Sequence, residues 1–204
     1  MKKLYYENPY INEYKTEIID IKEKNEKYHV ILEETIFFPG GGGQFEDIGF
    51  IENQQVIDVY EENGVVYHVV DKKPAKIHKV FCKIDWEHRF CGMQQHLAQH
   101  VLSGCFFTLF NKNTFGFHLG KSVSTVDIEG PLTQEDIRKA EKLANDIIFK
   151  NLKVNCFFPS KQELKKLKLR RALPKTNEKI RVVEIDDLDI NACCGVHPLQ
   201  TIEL

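Results

Sequence analysis

Two pairs of metal-binding side chains stand about ninety residues apart in this chain, and a fold that uses them has to bring them together. The first is His96 and His100, in Gln94-Gln95-His96-Leu97-Ala98-Gln99-His100. The second is Cys193 and His197, in Cys193-Cys194-Gly195-Val196-His197. On a helix, positions four apart share a face with Cβ atoms about 5–6 Å apart, so both imidazoles can reach one ion. Cys193 and His197 flank a glycine, which permits a tight turn and lets them converge as well. Cys194 is the alternative thiol, three positions from His197, and ranks second. A His/His/Cys/His set fits zinc, which takes nitrogen and thiolate ligands in near-tetrahedral geometry. The pattern therefore predicts one Zn2+ held across the fold.

Other classes fall away. A peptidase of the thermolysin kind needs a glutamate directly after the first histidine, and Leu97 stands there. No apolar run approaches the roughly 20 residues needed to cross a bilayer. The N-terminus, Met1-Lys2-Lys3-Leu4-Tyr5-Tyr6, lacks the apolar core of a signal peptide. Cytoplasm is the expected compartment and no membrane partner is expected. The six cysteines show no disulfide framework. A chain of 204 residues suffices for one large domain or two small ones.

The hydrophobic period changes once. Up to residue 85 the sequence reads as short β-strands, near residues 16–21, 28–33, 56–60, 64–70 and 79–84, separated by Asn-, Gly- and Lys-rich turns. Strands at this spacing predict a small antiparallel β-barrel over residues 1–85. From residue 87 Phe90, Met93, Leu97, Val101, Leu102 and Cys105 recur at helical intervals, predicting one helix to about residue 109. His96 and His100 lie beside that apolar stripe and should face inward. Short β runs follow near residues 115–119 and 123–128. A helix capped by Thr133 runs to about Lys150. A strand at 154–158, a basic helix at 160–171 and a strand at 180–185 lead to the ligand-bearing turn. The fold class predicted is α+β: the barrel, then an α+β sandwich over residues 86–204 with a long HxxxH helix.

Two further signals carry chemistry. Phe37-Phe38-Pro39-Gly40-Gly41-Gly42-Gly43-Gln44 places four glycines in a row, costly in backbone entropy but useful where backbone passes close to a ligand. Gln44 could present an amide to a phosphate, ribose or carbonyl. The charge is also uneven: residues 1–80 hold ten basic and fifteen acidic side chains, the remainder eighteen and fifteen. Between residues 150 and 171 eight Lys or Arg face one acid, Glu163. Such a run is a solvated helix face or, beside a metal site, a contact for a polyanion such as RNA.

These residues together resemble the editing-domain family of alanyl-tRNA synthetases. Phe38 through Gln44 looks like that family's glycine-rich motif. Asp85-Trp86-Glu87-His88-Arg89-Phe90 leading into Met93 through Ser103 is very similar to its HxxxH helix. Asn191-Ala192-Cys193-Cys194-Gly195-Val196-His197 resembles its CxxxH turn. The resemblance covers about residues 30 to 203. It departs at Cys194-Gly195-Val196, where the family usually has Gly-Gly-Thr. The family pattern also usually runs on past Thr201-Ile202-Glu203-Leu204, where this sequence stops.

The resemblance implies a freestanding protein of AlaX type, in the larger subclass with an N-terminal barrel and no ATP site. It implies hydrolysis in trans of serine, and also glycine, wrongly loaded onto the tRNA for alanine. Zinc held by His96, His100, Cys193 and His197 would polarise water or orient the substrate, with His197 the ligand best placed to be loose. Gln44 would hold the 3′-adenosine or stabilise an oxyanion. Ser122 matches a family threonine that senses the serine hydroxyl, with Ser124 and Thr125 further hydroxyl candidates; His118 either faces the same pocket or is a satisfied core histidine. The tRNA contacts implied are Gly41, Gly42, Gly43, Arg89, Lys165, Lys166, Lys168, Arg170 and Arg171. Two rival readings are a threonyl-tRNA synthetase editing domain and a non-catalytic, zinc-stabilised tRNA-binding module.

Overall fold

The computed structural model describes residues 1–120, 123–174, 176 and 179–204. The chain divides into two compact units, Met1–Gly92 and Met93–Leu204.

The first unit is built from nine strands: β1 (Lys2–Lys3), β2 (Glu13–Thr16), β3 (Ile18–Lys24), β4 (Lys27–Leu32), β5 (Glu34–Thr35), β6 (Gly49–Ile51), β7 (Gln54–Glu62), β8 (Val65–Val70) and β9 (Val80–Ile84). Seven form one antiparallel sheet in the order β2-β9-β6-β7-β8-β4-β3, while β1 pairs with β5 in parallel. Local chemistry sets the hairpins. Asn63 and Gly64, between β7 and β8, both take positive φ (51° and 79°), the signature of a two-residue type I′ turn. Asn25 and Glu26 do the same between β3 and β4, at 53° and 60°. A register shift between Val56 and Asp58 lets Val56 and Val59, three apart, both point inward. They join Val30, Leu32, Ile51, Val70, Val80 and Ile84 in one buried cluster. Burying each such side chain contributes about 1.5–3 kcal/mol.

The expected closed barrel is not formed. Strands β2 and β3 are the two edges of the sheet, each paired on one side only. They are separated in sequence by Glu17 alone, and an antiparallel ladder between neighbours needs a turn of about two residues or more.

His68 of β8 is fully buried. Its Nδ1–H donates to Val30 O at 2.9 Å, and Nε2 lies 2.7 Å from the Thr35 hydroxyl, which donates to it. Burial pushes its pKa down to about 4, against a small opposing pull from the Val30 carbonyl. Unfolded, the imidazole titrates near 6.5. Between those values the unfolded chain holds a proton that the folded chain does not, so His68 stabilises above pH 6.5 and this stability is lost as pH falls toward 4. Denaturant melts at pH 7 and pH 5 should differ by about 2 kcal/mol from this group. The difference should shrink in a His68→Gln variant; an equal difference in both proteins would contradict the assignment.

The second unit contains most of α1 (Trp86–Phe110), then β10 (Thr114–His118), β11 (Thr125–Ile128), α2 (Gln134–Lys150), β12 (Val154–Phe157), α3 (Lys161–Leu164), β13 (Val182–Ile185) and β14 (Asp189–Ala192). The helix observed at Trp86–Phe110 matches the change of period at residue 87. Strands β12, β13 and β14 form an antiparallel sheet, and β10–β11 a separate hairpin. Leu97, Val101 and Cys105 of α1 pack with Ala140, Ala144 and Ile147 of α2 and with Val154, Val183 and Ile185 of the sheet. Thr133 caps α2 through a reciprocal box with Asp136.

The basic helix expected over 160–171 is one turn, Lys161–Leu164. Beyond it the chain is drawn alongside β14, where Arg170 N donates to Ile190 O at 3.0 Å and Arg171 N to Asn191 Oδ1 at 3.1 Å. Those bonds replace helical ones. Among the described residues no helix is long and apolar enough to cross a membrane.

Candidate metal centre

Within the second unit, one ligand atom from each of His96, His100, Cys193 and His197 lies within 4.8 Å of all the others. The two α1 histidines stack with ring centroids 5.3 Å apart, as their spacing of four requires. They flank Leu97, on the side of the helix that the core buries. Cys193 Sγ stands 3.3 Å from His96 Nε2 and 3.7 Å from His197 Nε2. Tetrahedral zinc with bonds of about 2.0–2.3 Å sets neighbouring ligand atoms roughly 3.4–3.6 Å apart. The arrangement fits the ion. Buried His100 Nε2 has no hydrogen-bond partner among the described residues, as a nitrogen kept for a metal should.

The turn that delivers Cys193 and His197 is fastened by Arg181. Its Nη1 donates to Gly195 O at 2.7 Å and to Cys193 O at 3.3 Å, while Cys193 N donates to Arg181 O at 3.0 Å. Gly195 N in turn points at Cys193 Sγ, 3.4 Å away. Although burial opposes ionisation, the imidazoles of His96 and His197 hold the Cys193 thiol well below its usual pKa. The sulfur is thus poised as a thiolate. Cys194 is exposed and is not among the four clustered side chains.

The glycine-rich loop belongs to the first unit. Gly40, Gly41, Gly42 and Gly43 all have positive φ, between 61° and 129°, which side chains rarely adopt. Gly41 and Gln44 exchange backbone hydrogen bonds of 2.9 and 3.1 Å, closing the loop. Asp47 closes its base: Asp47 N donates to Phe38 O, and Phe38 N to Asp47 Oδ2. Gly41, Gly42 and Gly43 are exposed whereas Gln44 is 4% exposed. The loop therefore presents backbone to solvent.

The family described as "tRNA synthetases class II (A)" matches residues 4–88. The chain is 34% identical over its whole length to "Alanyl-tRNA editing protein AlaX-L" of Pyrococcus horikoshii, covering 52% of that protein. It is 34% identical to "Alanyl-tRNA editing protein Aarsd1" of Mus musculus, with 86% of this chain and 43% of that one aligned. It is 30% identical over its whole length to an "Alanine--tRNA ligase" of Ignicoccus hospitalis, covering 23% of it. The chain is similar to the alanyl-tRNA editing family over most or all of its length. It spans about half the length of the first of these relatives.

Against that family pattern, several residues singled out in the sequence sit elsewhere than expected. Arg89 is 1% exposed and is not a phosphate contact. Its Nε donates to Asp47 Oδ1 at 2.8 Å, Nη2 bonds Asp47 Oδ2 as well, and Pro9 O and Ile36 O accept from Nη1 and Nη2 at 3.0 and 2.6 Å. It anchors the glycine-rich loop from behind. Arg170 is also withdrawn from solvent, its side chain 5% exposed against Asp189. Lys165, Lys166, Lys168 and Arg171 are exposed.

Thr125 and His118 oppose each other in the β10–β11 hairpin, next to the pair Phe117 and Val126. The Phe117 ring touches His96, with centroids 5.3 Å apart. Side chains alternate across a strand, so Thr125 and His118 share the face opposite to Phe117, and both are exposed. Ser124 instead reaches α1, its hydroxyl donating to Gln95 Oε1 at 2.5 Å. Ser122 lies outside the described residues. Sequence reasoning missed Arg181 and Asp189 as supports of the centre: Asp189 backs His100, 89 residues away, and Arg181 fastens a turn 12 to 14 residues ahead of it, contacts that no local pattern announces.

Proposed function

We propose that this protein is an aminoacyl-tRNA deacylase that removes serine, and also glycine, wrongly attached to the tRNA for alanine. The observation that carries this reading is the convergence of His96, His100, Cys193 and His197, in a chain similar to the alanyl-tRNA editing family. The bond broken is the ester between the amino-acid carbonyl and the 3′-terminal ribose oxygen; water supplies the hydroxyl to the acid and the proton to the ribose.

Zinc bound by the four ligands would supply Lewis acidity to a water or to the ester carbonyl. The chain's own residues do the rest. Cys193, held as a thiolate, gives the centre its charge. Phe117, packed on His96, shields one side of that ring from water. The exposed backbone of Gly41, Gly42 and Gly43 suits close approach to the acceptor end, with Gln44 set beneath it as the proposed amide donor to the 3′-adenosine or oxyanion. Ser122 is proposed to read the serine hydroxyl. A site that hydrogen-bonds that group disfavours alanine, because its polar partners would be left unpaired. Lys165, Lys166, Lys168 and Arg171 offer exposed positive charge for tRNA phosphates.

The test is deacylation of Ser-, Gly- and Ala-charged tRNA for alanine by the full chain. Ser-tRNA should be hydrolysed faster than Ala-tRNA, by up to about 10⁴-fold. Reversing the charge at Lys165, Lys166 and Lys168 should raise KM and flatten its salt dependence, leaving kcat in place. Equal rates on the Ser and Ala substrates would refute an editing role.

A further inference from the structure

Behind His100 lies a buried carboxylate that no ligand set predicts. Asp189, on β14, has a side chain 1% exposed, and its Oδ2 is 3.1 Å from His100 Nδ1. Its Oδ1 accepts from Arg170 Nε at 2.7 Å and from Asn191 Nδ2 at 2.7 Å. Arg170 Nη2 adds a longer contact of 3.4 Å to Oδ2. Both oxygens are engaged, so the carboxylate cannot swing away from the imidazole. Arg170 is itself registered on the strand, since its backbone N–H donates to Ile190 O at 3.0 Å.

A carboxylate facing Nδ1 can only accept, so the neutral imidazole of His100 carries its proton on Nδ1 and turns the Nε2 lone pair outward. That Nε2 is the buried atom without a hydrogen-bond partner. His197 Nδ1 is buried with no hydrogen-bond partner among the described residues. A buried ionised carboxylate is costly unless it is paired, and Arg170 pairs it.

We infer that Asp189, held by Arg170, is a positioning residue that fixes the tautomer and ring orientation of His100 for metal binding. The inference rests on the metal-centre reading above and adds to it a hold on His100 that His197 does not share. Outer partners of this kind raise ligand basicity and hold ring geometry, and losing one costs about 10–100-fold in metal affinity.

Co2+ binding to the full chain, by chelator competition and visible absorption, tests it. Asp189→Asn preserves shape, but its amide can donate to Nδ1 and drive the proton onto Nε2, where it blocks the ligand atom. Affinity should fall about 10–100-fold, with a changed ligand-field spectrum. In the metal-free protein above pH 9, His100 is neutral although, against the lowering effect of burial, Asp189 and Cys193 raise its pKa to about 9. There, long-range 1H–15N correlations should show Nδ1–H in the wild type and a mixture in the variant. Arg170→Met, which leaves the His100 contact in place, should move affinity the same way by less, and it serves if Asp189→Asn folds poorly. Affinity within twofold of wild type and an unchanged spectrum in both variants would overturn the proposal. Absence of Co2+ binding by the wild type itself would instead overturn the metal-centre reading, and this proposal with it.

Discussion

Replacing Arg89 by methionine should lower the unfolding free energy of the full chain by about 3–5 kcal/mol, the usual cost of breaking a buried ion pair from one side. The expectation follows from what the guanidinium leaves behind. Asp47 is 2% exposed and, of the Arg89 and Phe38 donors, would be left with one, Phe38 N. The carbonyls of Pro9 and Ile36 would each lose a charged donor as well. A second change, Asp47→Leu in the Arg89→Met background, should recover part of the loss, because a buried pair replaced by apolar groups is often near neutral. Chemical denaturation of the three proteins measures this. A loss below about 1 kcal/mol in the single variant would mean that the guanidinium is solvated rather than locked behind the loop.

Changing Cys193 to serine should abolish tight zinc binding, with an affinity loss of more than about 100-fold, since even outer partners of ligands cost 10–100-fold. A hydroxyl differs from a thiol here in one decisive respect. The His96 and His197 imidazoles hold the thiol well below its usual range despite its burial, so sulfur meets the cation as an anion. A serine hydroxyl has no such acidity and offers a harder, neutral oxygen to a metal that favours sulfur and nitrogen. Deacylation should vanish in parallel, and removing metal from the wild type with a chelator should reproduce the loss. Re-adding Zn2+ should restore the chelated wild type but not the variant. If Cys193→Ser keeps both metal and turnover, the four-ligand centre is wrong.

How much of this could be read beforehand depended on whether the cause is local. The α1 helix was legible because its core stripe, Phe90 to Cys105, is written at the helical period in consecutive turns. The two strands flanking Asn63 and Gly64 were legible, but Gly64 was read as the start of a strand, whereas with Asn63 it makes the turn. The metal pairs were legible because each pair is local and its chemistry demands the other. The closed barrel was misjudged because strand-forming residues reveal pairing partners poorly, and edge status is decided by topology. The basic helix beyond Leu164 was misjudged because Leu and Lys favour helix only until a tertiary bond competes, and β14 claims both the backbone and the side chain of Arg170. Strand β14 itself was hidden by Asp189 and Asn191, residue types that strands usually avoid. Arg89 looked like a surface cation because charge alone does not disclose burial.

The glycine-rich loop also leans on the first turns of α1, where Phe45 lies against His88 with ring centroids 4.3 Å apart. A methyl group at Gly92 would stand 2.8 Å from Cε2 of the Phe45 ring, nearer than carbon atoms tolerate. Positions 45 and 92 consequently share one volume. Across descendants of this sequence a bulkier residue at 92 can persist only where the ring at 45 has been trimmed, so the two sites should vary as mirror images in size.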